Sequence, residues 1–99
     1  MKLIQAVFHT PGPKWKQGVG FREQEGVMNH VEHYAKFFNA GKLKMGGPFI
    51  DNDSGGMMIA TEDVTRDEIE KHAASDPAVL SGLLDFEVKT WYVAMNKDK

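Results

Sequence analysis

Apolar residues change their spacing along this chain in an order that few folds accommodate. Leu3, Ile4, Val7 and Phe8 fill residues 2–9 with strand formers until Pro11 and Pro13 intervene. Val27, Val31, Tyr34 and Phe38 then recur at helical spacing, with Glu32, Lys36 and Asn39 opposite. Gly41 stands where a left-handed C-cap belongs, so the spacing predicts a helix over 27–40. Residues 42–49 and 56–62 read as strands, and the turn-forming residues 51–55 between them predict a hairpin. Thr65 and Glu68 have the spacing of a capping box, with Val64 and Ile69 at the two staple positions. They predict a second helix that ends before Asp76-Pro77, because the residue before proline disfavours the α region. Residues 77–83 add a short turn. From Leu84 to Ala94, Phe86, Val88, Thr90 and Tyr92 alternate against Asp85, Glu87, Lys89 and Trp91, which predicts a last strand.

Strand, helix, hairpin, helix, strand is the split-βαβ order. It predicts an α+β fold of ferredoxin-like type, βαββαβ, with two helices on one face of a four-stranded antiparallel sheet. The first strand is apolar on both sides, with Ile4, Ala6 and Phe8 on one and Leu3 and Val7 on the other. A sheet with one wet face alternates more cleanly. The open sheet face therefore predicts a homodimer, two copies packed about a two-fold axis. The 99 residues make one domain, 1–99, whose modest core such association would supplement.

Several functions are excluded by composition. There are no cysteines, which removes disulfides, thiolate catalysis and Cys-ligated zinc and fits a reducing cytoplasm. The net charge of -2 comes without a basic block, and Lys14 and Lys16 beside Trp15 do not make a phosphate-binding stripe. Nucleic acid is not expected as a partner. No apolar run approaches the roughly 20 residues of a membrane span, and the N-terminus does not read as a signal peptide. Gly46-Gly47-Pro48 holds no phosphate-loop pattern, and no cofactor is expected.

His30 is the most informative residue. At roughly 100° per residue it projects about 60° from the centre of the apolar stripe, toward the sheet. A buried imidazole there needs a hydrogen-bond partner. Asp76, fixed by Pro77 at the end of the second helix, is the natural one. A carboxylate on one nitrogen sets the tautomer and raises the basicity of the other. Two plainer readings stand beside this: an inward histidine is often a satisfied core residue, and an aspartate before proline often caps the following turn. A metal is not expected, because His30 and His33 diverge on the helix, His9 and His72 lie elsewhere, and no HExxH pattern occurs. Met45, Met57, Met58, Phe8, Phe49 and Trp91 are candidates for an apolar pocket or for plain core and interface. Gly46, Gly47 and Pro48 would shape its floor. The loop 10–26, with two prolines and four glycines, is either functional, with Trp15 closing the pocket, or a connection pinned by Trp15 and Phe21.

His30, Gly41-Lys42-Leu43, Gly47-Pro48, Gly55-Gly56, Asp76-Pro77, Gly82 and Trp91, in this order and spacing over residues 2–94, resemble the YCII-related family. The stretch Pro11-Gly12-Pro13-Lys14-Trp15 is similar to one subgroup of it. The resemblance implies a dimeric α+β barrel of ferredoxin-like subunits and a pocket with a His–Asp pair, here His30 and Asp76. One assigned role in that family is dehydrochlorination of a chlorinated hydroxyquinol. The expected function is a small enzyme of lyase or isomerase type, acting on a cyclic or aromatic-derived metabolite. His30 and Asp76 would be its catalytic pair, with Trp15, Gly47, Pro48 and Phe49 binding substrate. The alternatives are a ligand-binding or sensing module without turnover, and a structural subunit with His30 packed beside no cavity.

Overall fold

A computed structural model describes residues 2–51 and 55–98. The elements follow in the order β1 (Lys2–Pro11), α1 (Val27–Asn39), β2 (Leu43–Pro48), β3 (Gly56–Ala60), α2 (Arg66–Ala74), α3 (Pro77–Leu80) and β4 (Leu84–Val93). All neighbouring strands are antiparallel, in the sheet order β2-β3-β1-β4. This is the ferredoxin-like arrangement read from the sequence, with a third short helix where a turn was expected. The hairpin's tip, residues 52–54, lies outside the described residues. No described helix is long and apolar enough to cross a membrane.

Strand parity decides which side chains meet the helices. Val7 of β1, Met58 and Ala60 of β3 and Val88 of β4 form the main core with Tyr34 and Phe37 of α1 and Ile69 and Ala73 of α2. His9 shares the parity of Val7 and so points toward the helices, not toward the open face. On that other face Ile4, Ala6 and Ile59 form a separate cluster flanked by Phe8, Met57 and Val93. Trp91, paired with Ile4, remains 48% exposed there.

The helix signals work in part. Thr65 caps α2, its hydroxyl accepting from the Glu68 amide at 3.1 Å. The reciprocal half of the expected box is replaced, because the Glu68 carboxylate accepts from the Lys42 ammonium and ties α2 to the start of β2. Val64 and Ile69 do enter the main core together. On α1 the buried side chains are Val27, His30, Tyr34 and Phe37. Val31 and Phe38, assigned to the core stripe from spacing, are 40% and 56% exposed. The buried face is thus rotated toward His30, and the displaced apolar residues stand over an open hollow.

The loop after β1 is held from inside. Gln24 is buried, accepting from the Lys16 amide at 3.0 Å and donating to the carbonyls of Lys16 and Val19 at 2.9 and 2.8 Å. Trp15 packs with Val27, Ala78, Leu83 and Leu84, with Phe21 against the same cluster.

Gly55 closes the approach of β3 to the end of β1. It has φ +77°, and a Cβ there would collide with the His9 carbonyl oxygen. Strain and collision both oppose a side chain. Gly55→Ala is expected to cost about 2 kcal/mol. In a domain of this size that lowers the thermal midpoint by roughly 10 °C, readable by circular dichroism; an unchanged midpoint would show that the two strands separate freely at this point.

Candidate active site

The site forms where α1, α3 and the end of β1 meet. Pro77 sets the first position of α3, and Asp76 before it is the N-cap. One Asp76 oxygen, Oδ1, accepts from the Ala78 amide at 2.9 Å. The other, Oδ2, accepts from His30 Nδ1 at 2.5 Å. Cap and imidazole partner, posed as rival roles for Asp76, are thus held at once by its two oxygens. Asp76 is fully buried and His30 is 4% exposed. Burial alone would push the Asp76 carboxyl up. The hydrogen bond and charge of His30, with the Ala78 amide and His9 behind them, outweigh it and hold the carboxyl below its usual range. Asp76 is therefore a carboxylate, and His30 Nδ1 carries the proton it donates. His30 Nε2 makes no hydrogen bond among the described residues.

That nitrogen belongs to a residue lining a cavity of about 480 Å³. Val31, Tyr34, Ala35 and Phe38 of α1 make one wall with His30. Met45, Gly46, Gly47 and Pro48 of β2 face them, and Gly55, Gly56 and Met58 continue the floor. The volume suits a small organic molecule. Among the described residues no Lys, Arg, Asp or Glu lines it; its polar side chains are His30, His9 and Tyr34. Of the residues nominated for substrate, Gly47 and Pro48 are on the wall. Trp15 is not: it is 8% exposed inside the cluster under α3, and Phe21 is the loop residue that reaches the cavity. Phe49 lies beyond the lining, partly exposed.

His9 and Tyr34 were not singled out for this site from sequence. His9 is 2% exposed, with its ring centroid 5.0 Å from that of His30 and the rings edge to face. Its Nδ1 donates to the Asp85 carbonyl at 3.1 Å, and its Nε2 lies 2.9 Å from the Tyr34 hydroxyl. Burial, then the neighbouring His30, lowers its pKa to about 4, so His9 is neutral at pH 7. The alternation of β1 places it on the core side, and a buried tyrosine hydroxyl calls for a partner; those were the available signals.

His9, His30 and Asp76 bring one potential ligand atom each within 4.8 Å of one another. The donor set fits a metal poorly, because both His9 nitrogens, His30 Nδ1 and both Asp76 oxygens already hold hydrogen bonds. His33 and His72 are not part of this group. Their rings stack at 3.8 Å, and His33 Nε2 donates to the His72 carbonyl at 2.6 Å. His72 Nε2 is buried with no partner among the described residues, and burial followed by His33 lowers that ring's pKa to about 4.

Comparison with protein-family models gives no match, and comparison with curated proteins gives none. Among solved structures the chain is similar to 5-chloro-2-hydroxyhydroquinone dehydrochlorinase from Burkholderia phenoliruptrix AC1100, in complex with 2,5-dihydroxybenzoquinone. The TM-score is 0.58 with 19% identity, over 89% of this chain and 93% of that one. The likeness is one of fold.

His9 and His72 make the fold acid-sensitive. Unfolded histidines take protons near pH 6.5, whereas these two resist until about pH 4. The unfolded state thus binds more protons between those values, and stability is lost as pH falls through that window. His9 contributes on the order of 3 kcal/mol to this loss, and Asp76, with its lowered pKa, adds to it at still lower pH. Urea midpoints should fall steeply from pH 7 to pH 4.5. His72→Phe, which keeps the stack and removes a titrating ring, should flatten the slope; a slope identical to wild type would contradict the assignment.

Proposed function

We propose that this protein is a small enzyme of lyase or isomerase type, in which His30 moves a proton on a small cyclic or aromatic-derived molecule. The observation that carries the reading is the His30 Nδ1–Asp76 Oδ2 bond at 2.5 Å, on a residue whose other nitrogen is unbonded at a cavity. Asp76 fixes the tautomer and stabilises the imidazolium formed when Nε2 takes the substrate's proton. The apolar walls hold a flat ring and keep the transfer away from bulk water. Returning the proton elsewhere on the ring gives an isomerase; losing a leaving group from the resulting anion gives a lyase. The structural neighbour's dehydrochlorination of a hydroxylated ring is an instance of the second outcome, and it lends support to the same choice here.

Incubation with a panel of hydroxylated and halogenated ring compounds, followed by mass spectrometry, should reveal a product. His30→Ala is expected to lower the rate about 10²- to 10⁴-fold. Asp76→Asn retains a competent cap for α3 and is also expected to slow turnover. A His30→Ala protein as fast as wild type would end the reading. Binding without any product from wild type would favour a sensing module instead.

The same reading includes a cytoplasmic homodimer. The helix-free sheet face, with Phe8, Met57 and Val93 around the Ile4–Ala6–Ile59 cluster and Trp91 beside it, is where a second copy would pack. Light scattering after size exclusion should give twice the chain mass of 11.1 kDa, and Trp91→Glu should shift it toward the monomer. A wild-type monomer at micromolar concentration would refute the dimer.

A further inference from the structure

Tyr34 and His9 line the cavity beside His30 but play no part in its bond to Asp76. The direction of every proton in their pair follows from one contact. The Asp85 carbonyl can only accept, so the His9 nitrogen 3.1 Å from it, Nδ1, carries the hydrogen. His9 Nε2 is then an acceptor, and the Tyr34 hydroxyl at 2.9 Å donates to it. Burial, then the Asp76 charge, raises the Tyr34 phenol further above its ordinary range, which keeps the proton on oxygen. A hydroxyl has one proton to give, and this one is committed.

What remains on Tyr34 Oη is lone pairs, and no described residue donates to them. His30 likewise turns Nδ1–H to Asp76, and its Nε2 has no partner among the described residues. Two chains of hydrogen bonds thus run away from the cavity, one into Asp85 and one into Asp76. The Tyr34 hydroxyl, its proton given to His9, can only accept. The rest of the wall is apolar or glycine.

We propose that Tyr34 is a specificity-determining residue that selects ligands presenting a hydroxyl donor over ligands of the same shape presenting only acceptors, with His9 as the positioning residue that fixes the direction of the Tyr34 hydroxyl. This deepens the preceding reading and rests on its assignment of the cavity as a ligand site. A ring with a free hydroxyl satisfies an acceptor that would otherwise be stripped of water and left unpaired. Its methyl ether leaves that acceptor unpaired and adds a second one facing it.

The test compares binding of hydroquinone and of 1,4-dimethoxybenzene by calorimetry, on wild type, Tyr34→Phe, His9→Gln and His9→Asn. Wild type should prefer hydroquinone. Tyr34→Phe should narrow that preference roughly three- to tenfold, by weakening hydroquinone and relieving the penalty on the ether. His9→Gln offers an amide oxygen near the Nε2 position and should preserve the preference. His9→Asn keeps a donor for Asp85 but leaves the Tyr34 proton free to turn into the cavity, so its affinity for the ether should rise. A merely structural role for His9 would weaken both ligands together in both variants. If Tyr34→Phe does not fold, the opposite behaviour of the two His9 variants decides the matter. An unchanged ratio in Tyr34→Phe, or parallel behaviour of the His9 variants, overturns this inference and leaves the His30 reading intact. Failure of both probes to bind wild type at millimolar concentration overturns the ligand site and the inference together.

Discussion

A carboxylate with no exposed surface is the constraint around which the rest of this small fold is arranged. Removing Asp76 from water costs several kcal/mol unless each oxygen finds a donor. Here the donors come from different places: the Ala78 amide from the turn that Asp76 itself begins, and the His30 imidazole from a helix 46 residues earlier in the chain. One side chain therefore closes α3 and ties it to α1. The geometry is rigid because neither partner can leave without stranding a buried charge. Pro77 adds to this by fixing the backbone just where the carboxylate must point.

The cavity is the other half of that arrangement, and it is built from residues that would otherwise have made core. Val31 and Phe38 fall on the helical stripe that ordinarily packs against a sheet, yet they stand exposed over the hollow. Opposite them the chain places Gly46, Gly47 and Gly55-Gly56, which present no side chain to fill the gap. A Cβ built on Gly46, which pairs with the core-side Met58, would collide with the Met58 sulfur, so even the smallest side chain there would displace a residue of the cavity wall. A 99-residue domain has little apolar burial to spare. Leaving this much unfilled forgoes stability, a departure of the kind found at functional sites.

The fold was legible because its signals are local and repeated. Alternation, helical spacing, Thr65, Gly41 and Pro77 each act within a few residues, and together they allow one order of elements. His30 and Asp76 were legible for a similar reason, since one lies on the inner side of a helix and the other is fixed before a proline. What was missed depends on distances across the chain. Trp15 stood between a lid and a pin for its glycine- and proline-rich loop, and what decides for the pin is Gln24, which folds that loop inward and delivers the indole to the cluster under α3. The Glu68 carboxylate was assigned to its own helix end and went to Lys42, a partner 26 residues away. His9 and Tyr34 read as a strand end and a core aromatic. Only their meeting, 25 positions apart, turns them into a polar feature.

Two imidazoles edge to face at 5.0 Å raise a question of charge that the surrounding groups answer. Among the described residues the carboxylate grouped with the two rings is Asp76, and its Oδ2 is bonded to His30. A proton taken up at His30 is met by that negative charge. A second proton on His9 would meet a carbonyl at one nitrogen, a hydroxyl at the other, and the positive charge of its neighbour. Desolvation and His30 accordingly hold His9 neutral down to about pH 4. Neighbouring titratable groups whose environments differ this much divide their work between them. In the proposed function His30 is the ring that would take up and return the proton. The other is equipped to keep the same state throughout, and so gives Tyr34 a fixed direction whatever happens at His30.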